Sequence, residues 1–167
     1  MKFFVAILFL SCVAVAHEKN REHGAHAHGA GTLGIAFEGT KGSIEFKIPN
    51  ETLFGFEYKA KSAKDKKKRD DALSKLESKI SEMLVFDSSL NCKIEKNKIE
   101  VIAESDKHSS TMAVFSIICD KSPLGTEITF NFQKQFPKIK DLDVQFIVDN
   151  LQKSVEVKKN DTKLFLK

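Results

Sequence analysis

Alternating apolar and polar residues recur along this chain and restrict it to a fold built mainly from strands with one buried face. In a β-strand, successive side chains point to opposite faces, so apolar residues at every second position form a core face. Four runs show the pattern most clearly: Leu33, Ile35 and Phe37; Ile44, Phe46 and Ile48; Ile128, Phe130 and Phe132; and Val144, Phe146 and Val148. Five of the 14 phenylalanines lie in these four runs, which predicts that they form the core rather than line a ligand pocket.

One segment has a helical period instead. Residues 63–86 carry apolar side chains three or four residues apart, and Ser62 is placed to cap the helix. These apolar residues are Leu73, Leu76, Ile80, Met83 and Leu84. Strands are predicted at residues 32–48 (two strands joined by a turn at 39–42), 90–95, 98–104, 111–119, 126–134, 142–149, 153–158 and 162–166. One long helix among many short strands predicts an α+β fold, a mostly antiparallel β-sheet with one long amphipathic helix packed on one face.

The N-terminus has the three parts of a secretory signal peptide. Residues 1–16 contain Lys2, an apolar stretch and the small-residue triplet Ala14-Val15-Ala16, which predicts export with cleavage after Ala16. A lipoprotein acylated at Cys12 is the alternative. Residues 17–30 are polar and lack periodicity, so we expect a flexible segment, the histidine arm, before a single α+β domain at residues 31–167. No later apolar run is long enough to cross a bilayer, which predicts no transmembrane span in the mature chain.

The cysteines indicate one disulfide. Cys12 leaves with the signal peptide, so the mature chain keeps Cys92 and Cys119. Two cysteines in an oxidising compartment are typical of a structural bridge. Redox catalysis and soft-metal binding are the alternatives, but neither a CxxC motif nor a nearby histidine supports them.

Four of the five histidines lie in the histidine arm: His17, His23, His26 and His28. Neutral imidazole is a common ligand of Zn²⁺ and Cu²⁺, and the glycines and alanines between these residues allow the backbone to wrap around an ion. The spacing predicts a metal site on His23, His26 and His28. If cleavage makes His17 the N-terminal residue, its amine and ring together would instead favour Cu²⁺. The remaining alternative is an arm that binds nothing specific.

Other function classes lack support. The formal net charge of +4 is mild for a nucleic-acid-binding protein, and the basic run at residues 59–69 has no interleaved aromatic residues that would stack on bases. We expect this run to form the solvated first turns of the helix. The chain has no phosphate-binding glycine loop and no HExxH motif, so an enzyme is not predicted.

Several segments resemble the ZrgA-like proteins, the zinc-regulated periplasmic zinc-binding proteins of Gram-negative bacteria. HGAHAHG at residues 23–29 is similar to the opening of that family, and NETLFGFEY at 50–58 is similar to its NLVGFEH segment. The positions of Cys92 and Cys119 match the family's cysteine pair. FP at 136–137, followed by LDVQ at 142–145, resembles the family's FP…LxVQ stretch.

This resemblance implies an exported, periplasmic zinc-binding protein that assists a zinc import system of the inner membrane, and not an enzyme. The family has a long loop rich in His, Asp and Glu between its cysteines, whereas residues 103–110 here are short and contain only His108. Tyr58 occupies the position of the histidine in the family's GFEH, although Glu57 is retained. The implied site is therefore a single zinc site on the histidine arm, which His108 would complete. The alternative is that His108 is an exposed turn residue.

Two functions from different classes follow from these observations. The first is capture of Zn²⁺ by the histidine arm and its transfer to an importer. The alternative is a non-enzymatic envelope interaction or assembly domain, held together by its disulfide, in which the arm is incidental. Deletion of residues 17–30 would abolish metal binding in the first case and leave partner binding intact in the second.

Overall fold

The computed structural model describes residues 29–167 and contains two β-sheets and three α-helices within that range. In chain order, the elements are β1 (Ala30–Glu38), β2 (Lys41–Pro49), α1 (Asn50–Phe54), α2 (Ala63–Met83), β3 (Leu84–Phe86), a 3₁₀ turn (Ser88–Leu90), β4 (Lys93–Ala103), β5 (Ser109–Ile118), β6 (Glu127–Phe130), α3 (Phe132–Gln135), β7 (Asp141–Val148), β8 (Leu151–Val157) and β9 (Thr162–Phe165). None of the helices in this part of the chain is long and apolar enough to cross a membrane.

The larger sheet has six strands in the order β4-β5-β2-β1-β7-β8, and the smaller sheet has the order β3-β6-β9. The pairs are antiparallel except for β1 and β7, which run parallel. The parallel pair was not predicted, and it is possible because a long stretch of chain separates the two strands. The predicted α+β class with a mostly antiparallel sheet is confirmed.

The core lies between the larger sheet and the elements on one of its faces. Phe37 of β1 packs edge-on against Phe86 of β3, with ring centroids 5.8 Å apart. Phe46 of β2 stacks on Phe132 of α3 at 5.4 Å. Phe37, Phe46 and Phe132 belong to a single buried apolar cluster that also includes residues of α2, and Phe86 packs against it. The alternating phenylalanines form the core as predicted, although Phe132 lies in α3 and not in the strand predicted at 126–134.

The long helix begins as predicted but ends earlier. Ser62 caps α2, and its Oγ accepts a hydrogen bond from the backbone N–H of Asp65 at 3.0 Å. The buried residues of α2 start only at Ala72. The basic run at residues 59–69, which includes the first turns of α2, is largely exposed. The helix ends at Met83 because the next three residues form β3 and pair with β6.

The predicted disulfide between Cys92 and Cys119 is present. Cys92 directly precedes β4 and Cys119 directly follows β5, and the adjacent residues Lys93 and Ile118 are paired across the two strands. The bridge therefore closes one end of the β4–β5 hairpin. His108 lies at the opposite end, in the connection between these strands.

Candidate metal-binding site

One end of the larger sheet brings together several polar side chains. Thr32 of β1 pairs with Lys47 of β2, and Pro49 of β2 pairs with Ser110 of β5. Ala30, the first residue of β1, therefore lies level with Pro49 and Ser110. We call this end, defined by these three residues, the arm end of the sheet. Neighbouring strands are about 4.8 Å apart, which separates Ala30 from Ser110 by about 10 Å.

The structure describes only one of the predicted metal ligands. His17, His23, His26 and His28 lie outside the described residues, so their arrangement stays a prediction. His108 lies at the arm end of the sheet, two residues before Ser110. About half of its side chain is exposed, 47% of the full area.

His108 contacts a carboxylate that the sequence did not single out as its partner. Its Nδ1 lies 2.6 Å from Oε2 of Glu57, which is a short, charge-assisted hydrogen-bond distance. The side chain of Glu57 is only 10% exposed. The backbone of His108 is also held, because its carbonyl accepts hydrogen bonds from the N–H groups of Glu104 and Ser105 at 2.9 and 3.1 Å.

A chain of hydrogen bonds anchors Glu57 to the sheet. Thr111 Oγ1 donates to Asn50 Oδ1 at 2.6 Å, and Asn50 Nδ2 donates to Ser109 Oγ at 2.6 Å. Ser109 Oγ in turn donates to the backbone carbonyl of Glu57. Asn50 and Thr111 are almost fully buried. A buried polar network with its partners satisfied gives its members one defined geometry, so the segment carrying Glu57 is fixed in place.

The sequence pattern did not predict this network, because the network depends on α1, a five-residue helix that the pattern does not indicate. Asn50 is the first residue of α1 and follows directly after β2. In the sequence, Asn50 is one of several polar residues between the apolar positions Ile48 and Leu53. That pattern alone does not distinguish a buried asparagine from an exposed turn residue.

Three carboxylates lie at the arm end of the sheet on β7 and β8, which are separated from β2 and β5 by β1. Oxygens of Asp141, Asp143 and Glu156 all lie within 4.8 Å of one another, and no other group of three or more Asp, Glu, His or Cys residues within 29–167 has such a spacing. Glu156 also pairs with Lys158 at 2.7 Å. A site with only oxygen ligands suits Ca²⁺ or Mg²⁺ better than Zn²⁺, which favours nitrogen and sulfur. We therefore assign no zinc site to these carboxylates.

Asp141 is held in an unfavourable environment for its charge. Burial raises the pKa of Asp141 above its ordinary value of 3.8, and the neighbouring carboxyl of Glu156 acts in the same direction. Lys158 opposes this shift. A raised pKa means that the folded protein holds the proton more tightly than the unfolded chain does. Ionisation of Asp141 therefore lowers stability as the pH rises through its folded pKa.

We expect Asp141→Asn to stabilise the chelator-treated protein near neutral pH, because it removes this charge. Substitutions outside the core usually change stability by less than about 0.5 kcal/mol, which corresponds to a rise in Tm of roughly 1–2 °C. The gain should disappear below the ordinary pKa of 3.8, where Asp141 is protonated in both states. Thermal unfolding near neutral pH and below pH 3.8 measures the change in Tm, with the exposed Asp106→Asn as a control. A lower Tm at neutral pH would show that the ionised carboxylate is the stabilising form.

Comparison with known protein families identifies the family of the chain. No curated protein matches the chain. A family model described as "ZrgA family zinc uptake protein" matches residues 25–166. The match starts inside the histidine arm, so it includes His26 and His28, and it extends through the two sheets to the last strand. The resemblance that the sequence motifs indicated is confirmed, and the chain belongs to the ZrgA family of zinc uptake proteins.

Proposed function

We propose that this protein captures Zn²⁺ at the arm end of the sheet, with His23, His26, His28 and His108 as ligands, and supplies the ion to a zinc import system. The observation that carries the proposal is the strand register. It places Ala30, where β1 begins, about two strand spacings from Ser110, which follows His108 by two residues. The family match supports a role in zinc uptake.

The chain length between the arm histidines and β1 is compatible with a shared site. His28, His26 and His23 precede Ala30 by two, four and seven residues, which span at most about 7, 14 and 24 Å when extended. Ser110 lies about 10 Å from Ala30 across the strands, and His108 lies two residues before Ser110 in the chain. All three imidazoles, with the added length of their side chains, can therefore reach His108. Three or four nitrogen ligands are what a tetrahedral zinc site needs.

We propose that the protein acts outside the cytoplasm, in the periplasm, after removal of residues 1–16. The Cys92–Cys119 disulfide supports this location, since such bridges persist in oxidising compartments. In this proposal the protein is a metal-binding protein rather than an enzyme. Its partners are the zinc ion and an importer in the inner membrane.

Zinc binding is expected to weaken strongly in mild acid. Imidazole binds metal in its neutral form, and histidine ordinarily takes up a proton around pH 6.5. We expect one Zn²⁺ per chain with submicromolar affinity at about pH 7.5, and at least tenfold weaker binding at about pH 5.5. Competition titration of the purified, chelator-treated protein measures both values.

An affinity that does not change between these two pH values would contradict a histidine site. It would point instead to carboxylate ligands, because these stay ionised in that range. A parallel titration with Cu²⁺ tests the alternative metal. Binding of Cu²⁺ that is tighter than that of Zn²⁺ and requires the free amine of His17 would assign the arm to copper.

A further inference from the structure

We infer that Glu57 is a positioning residue for the zinc ligand His108: its carboxylate accepts the Nδ1–H of the ring and so presents Nε2 to the metal. The inference rests on the proposed function and deepens it. It also gives a role to Glu57, which the sequence shares with the family's GFEH segment.

The distance between the two side chains fits a shared proton rather than a shared metal ion. Nδ1 of His108 and Oε2 of Glu57 are 2.6 Å apart. Two ligand atoms on one tetrahedral zinc, each at about 2.0–2.1 Å from the ion, would be about 3.3 Å apart. These two atoms are therefore too close to bind the same ion, and they form a hydrogen bond instead.

Burial separates the roles of the two residues. The side chain of Glu57 is 10% exposed, whereas that of His108 is 47% exposed. A metal arriving from solvent meets the ring of His108 before it can reach the carboxylate. The hydrogen bond from Ser109 to the backbone carbonyl of Glu57 ties the backbone of Glu57 to the buried Asn50 and Thr111, so the point from which its side chain starts is fixed.

The hydrogen bond also selects the form of the ring that binds metal through Nε2. A neutral imidazole has one protonated and one acceptor nitrogen. If Glu57 holds the proton on Nδ1, the lone pair is on Nε2, and the carboxylate makes that nitrogen a stronger donor. Carboxylate–histidine pairs of this kind orient metal ligands in many zinc proteins.

The test compares the Zn²⁺ affinity of four variants with that of the unmodified protein: Glu57→Ala, His108→Ala, the double variant with both substitutions, and Asp106→Ala. We expect Glu57→Ala to weaken zinc binding about tenfold, the lower bound for loss of such a partner. The double variant should bind no more weakly than His108→Ala, because Glu57 acts through His108. Asp106 is an exposed carboxylate in the same β4–β5 connection, so Asp106→Ala controls for loss of a negative charge.

A spectroscopic measurement separates positioning from a general effect on folding. Long-range ¹H–¹⁵N NMR of the metal-free protein identifies which ring nitrogen of His108 carries the proton. We expect Nδ1 in the unmodified protein and a shift toward Nε2 in Glu57→Ala. Glu57→Gln keeps an oxygen acceptor, so it should retain the Nδ1 proton and recover most of the affinity. The NMR result for the unmodified protein does not depend on whether Glu57→Ala folds.

The outcomes distinguish this inference from the proposed function. If His108→Ala binds zinc like the unmodified protein, the assignment of His108 as a ligand is wrong, and the inference fails with it. If His108→Ala is weaker but Glu57→Ala is not, only the positioning role is overturned. A double variant weaker than His108→Ala would identify Glu57 as a ligand in its own right, which also overturns the inference. Protonation of Nε2 in the unmodified, metal-free protein would overturn it as well.

Discussion

Replacing His23, His26 and His28 together by alanine is expected to abolish submicromolar zinc binding. A zinc site needs three or four protein ligands, and within residues 29–167 no group of three or more Asp, Glu, His or Cys donors includes His108. Without the three arm imidazoles, the proposed site keeps one ligand, His108, which is fewer than zinc needs. We expect the affinity to fall by at least 100-fold, to a Kd of about 10–100 μM or weaker, a range typical of adventitious binding. Competition titration with a chromogenic chelator measures the loss.

The matched control changes the same number of residues in the same segment without removing a predicted ligand. The triple variant Lys19→Ala, Asn20→Ala, Arg21→Ala should bind zinc as the unmodified protein does, within about threefold. His108→Ala should lie between the two, because it removes one ligand of four. If the histidine triple variant still binds zinc below 1 μM, the arm is not the site. The Asp141, Asp143 and Glu156 carboxylates would then be the next donors to substitute.

Strong alternation predicts most of the strands but not where each one ends, since Phe132 continues the alternation of Ile128 and Phe130 yet belongs to α3. A partner strand can also override a local turn signal. Lys96 and Asn97 predicted a turn between two strands, yet both lie within β4. The reason is β5, an unbroken strand that pairs with β4 on both sides of this position. The pairing only shifts register between Lys96 and Lys98, as a β-bulge does. Ladder hydrogen bonds to a long neighbour thus outweigh the turn preference of one asparagine.

The candidate site was predictable only in part, because its contacts join distant segments. The resemblance to the family singled out His108, since it is the only histidine in the segment that is rich in histidine in that family. Its contact with Glu57 spans 51 residues of sequence and depends on the register of β2 with β5 and on the short helix α1. The proximity of Asp141 to the start of β1 depends on the parallel pairing with β7, which no local pattern encodes. The candidate ligands could therefore be predicted from the sequence, whereas the residues that contact them depend on how the strands pair.

Loss of the Cys92–Cys119 disulfide is expected to destabilise the fold strongly. The bridge joins residues 27 positions apart. In the chain-entropy model, a loop of this length contributes about 3–4 kcal/mol by restricting the unfolded chain. We expect the double variant Cys92→Ala, Cys119→Ala to lose roughly 10 °C of Tm. Thermal and urea unfolding of the chelator-treated protein measure the change, and the unmodified protein after reduction should show a similar loss.

The same variant tests whether stability and zinc binding are separable in this fold. The disulfide closes the end of the β4–β5 hairpin opposite His108, and most of the length of β5 remains paired with both β4 and β2. Where the domain is still folded, the geometry at the arm end of the sheet should therefore persist, with zinc affinity unchanged within about threefold. Reductant added to the double variant should have no further effect on its Tm. A Tm equal to that of the unmodified protein would show that strand pairing alone holds the hairpin. A large loss of zinc affinity in the folded variant would show that the closed end controls the position of His108.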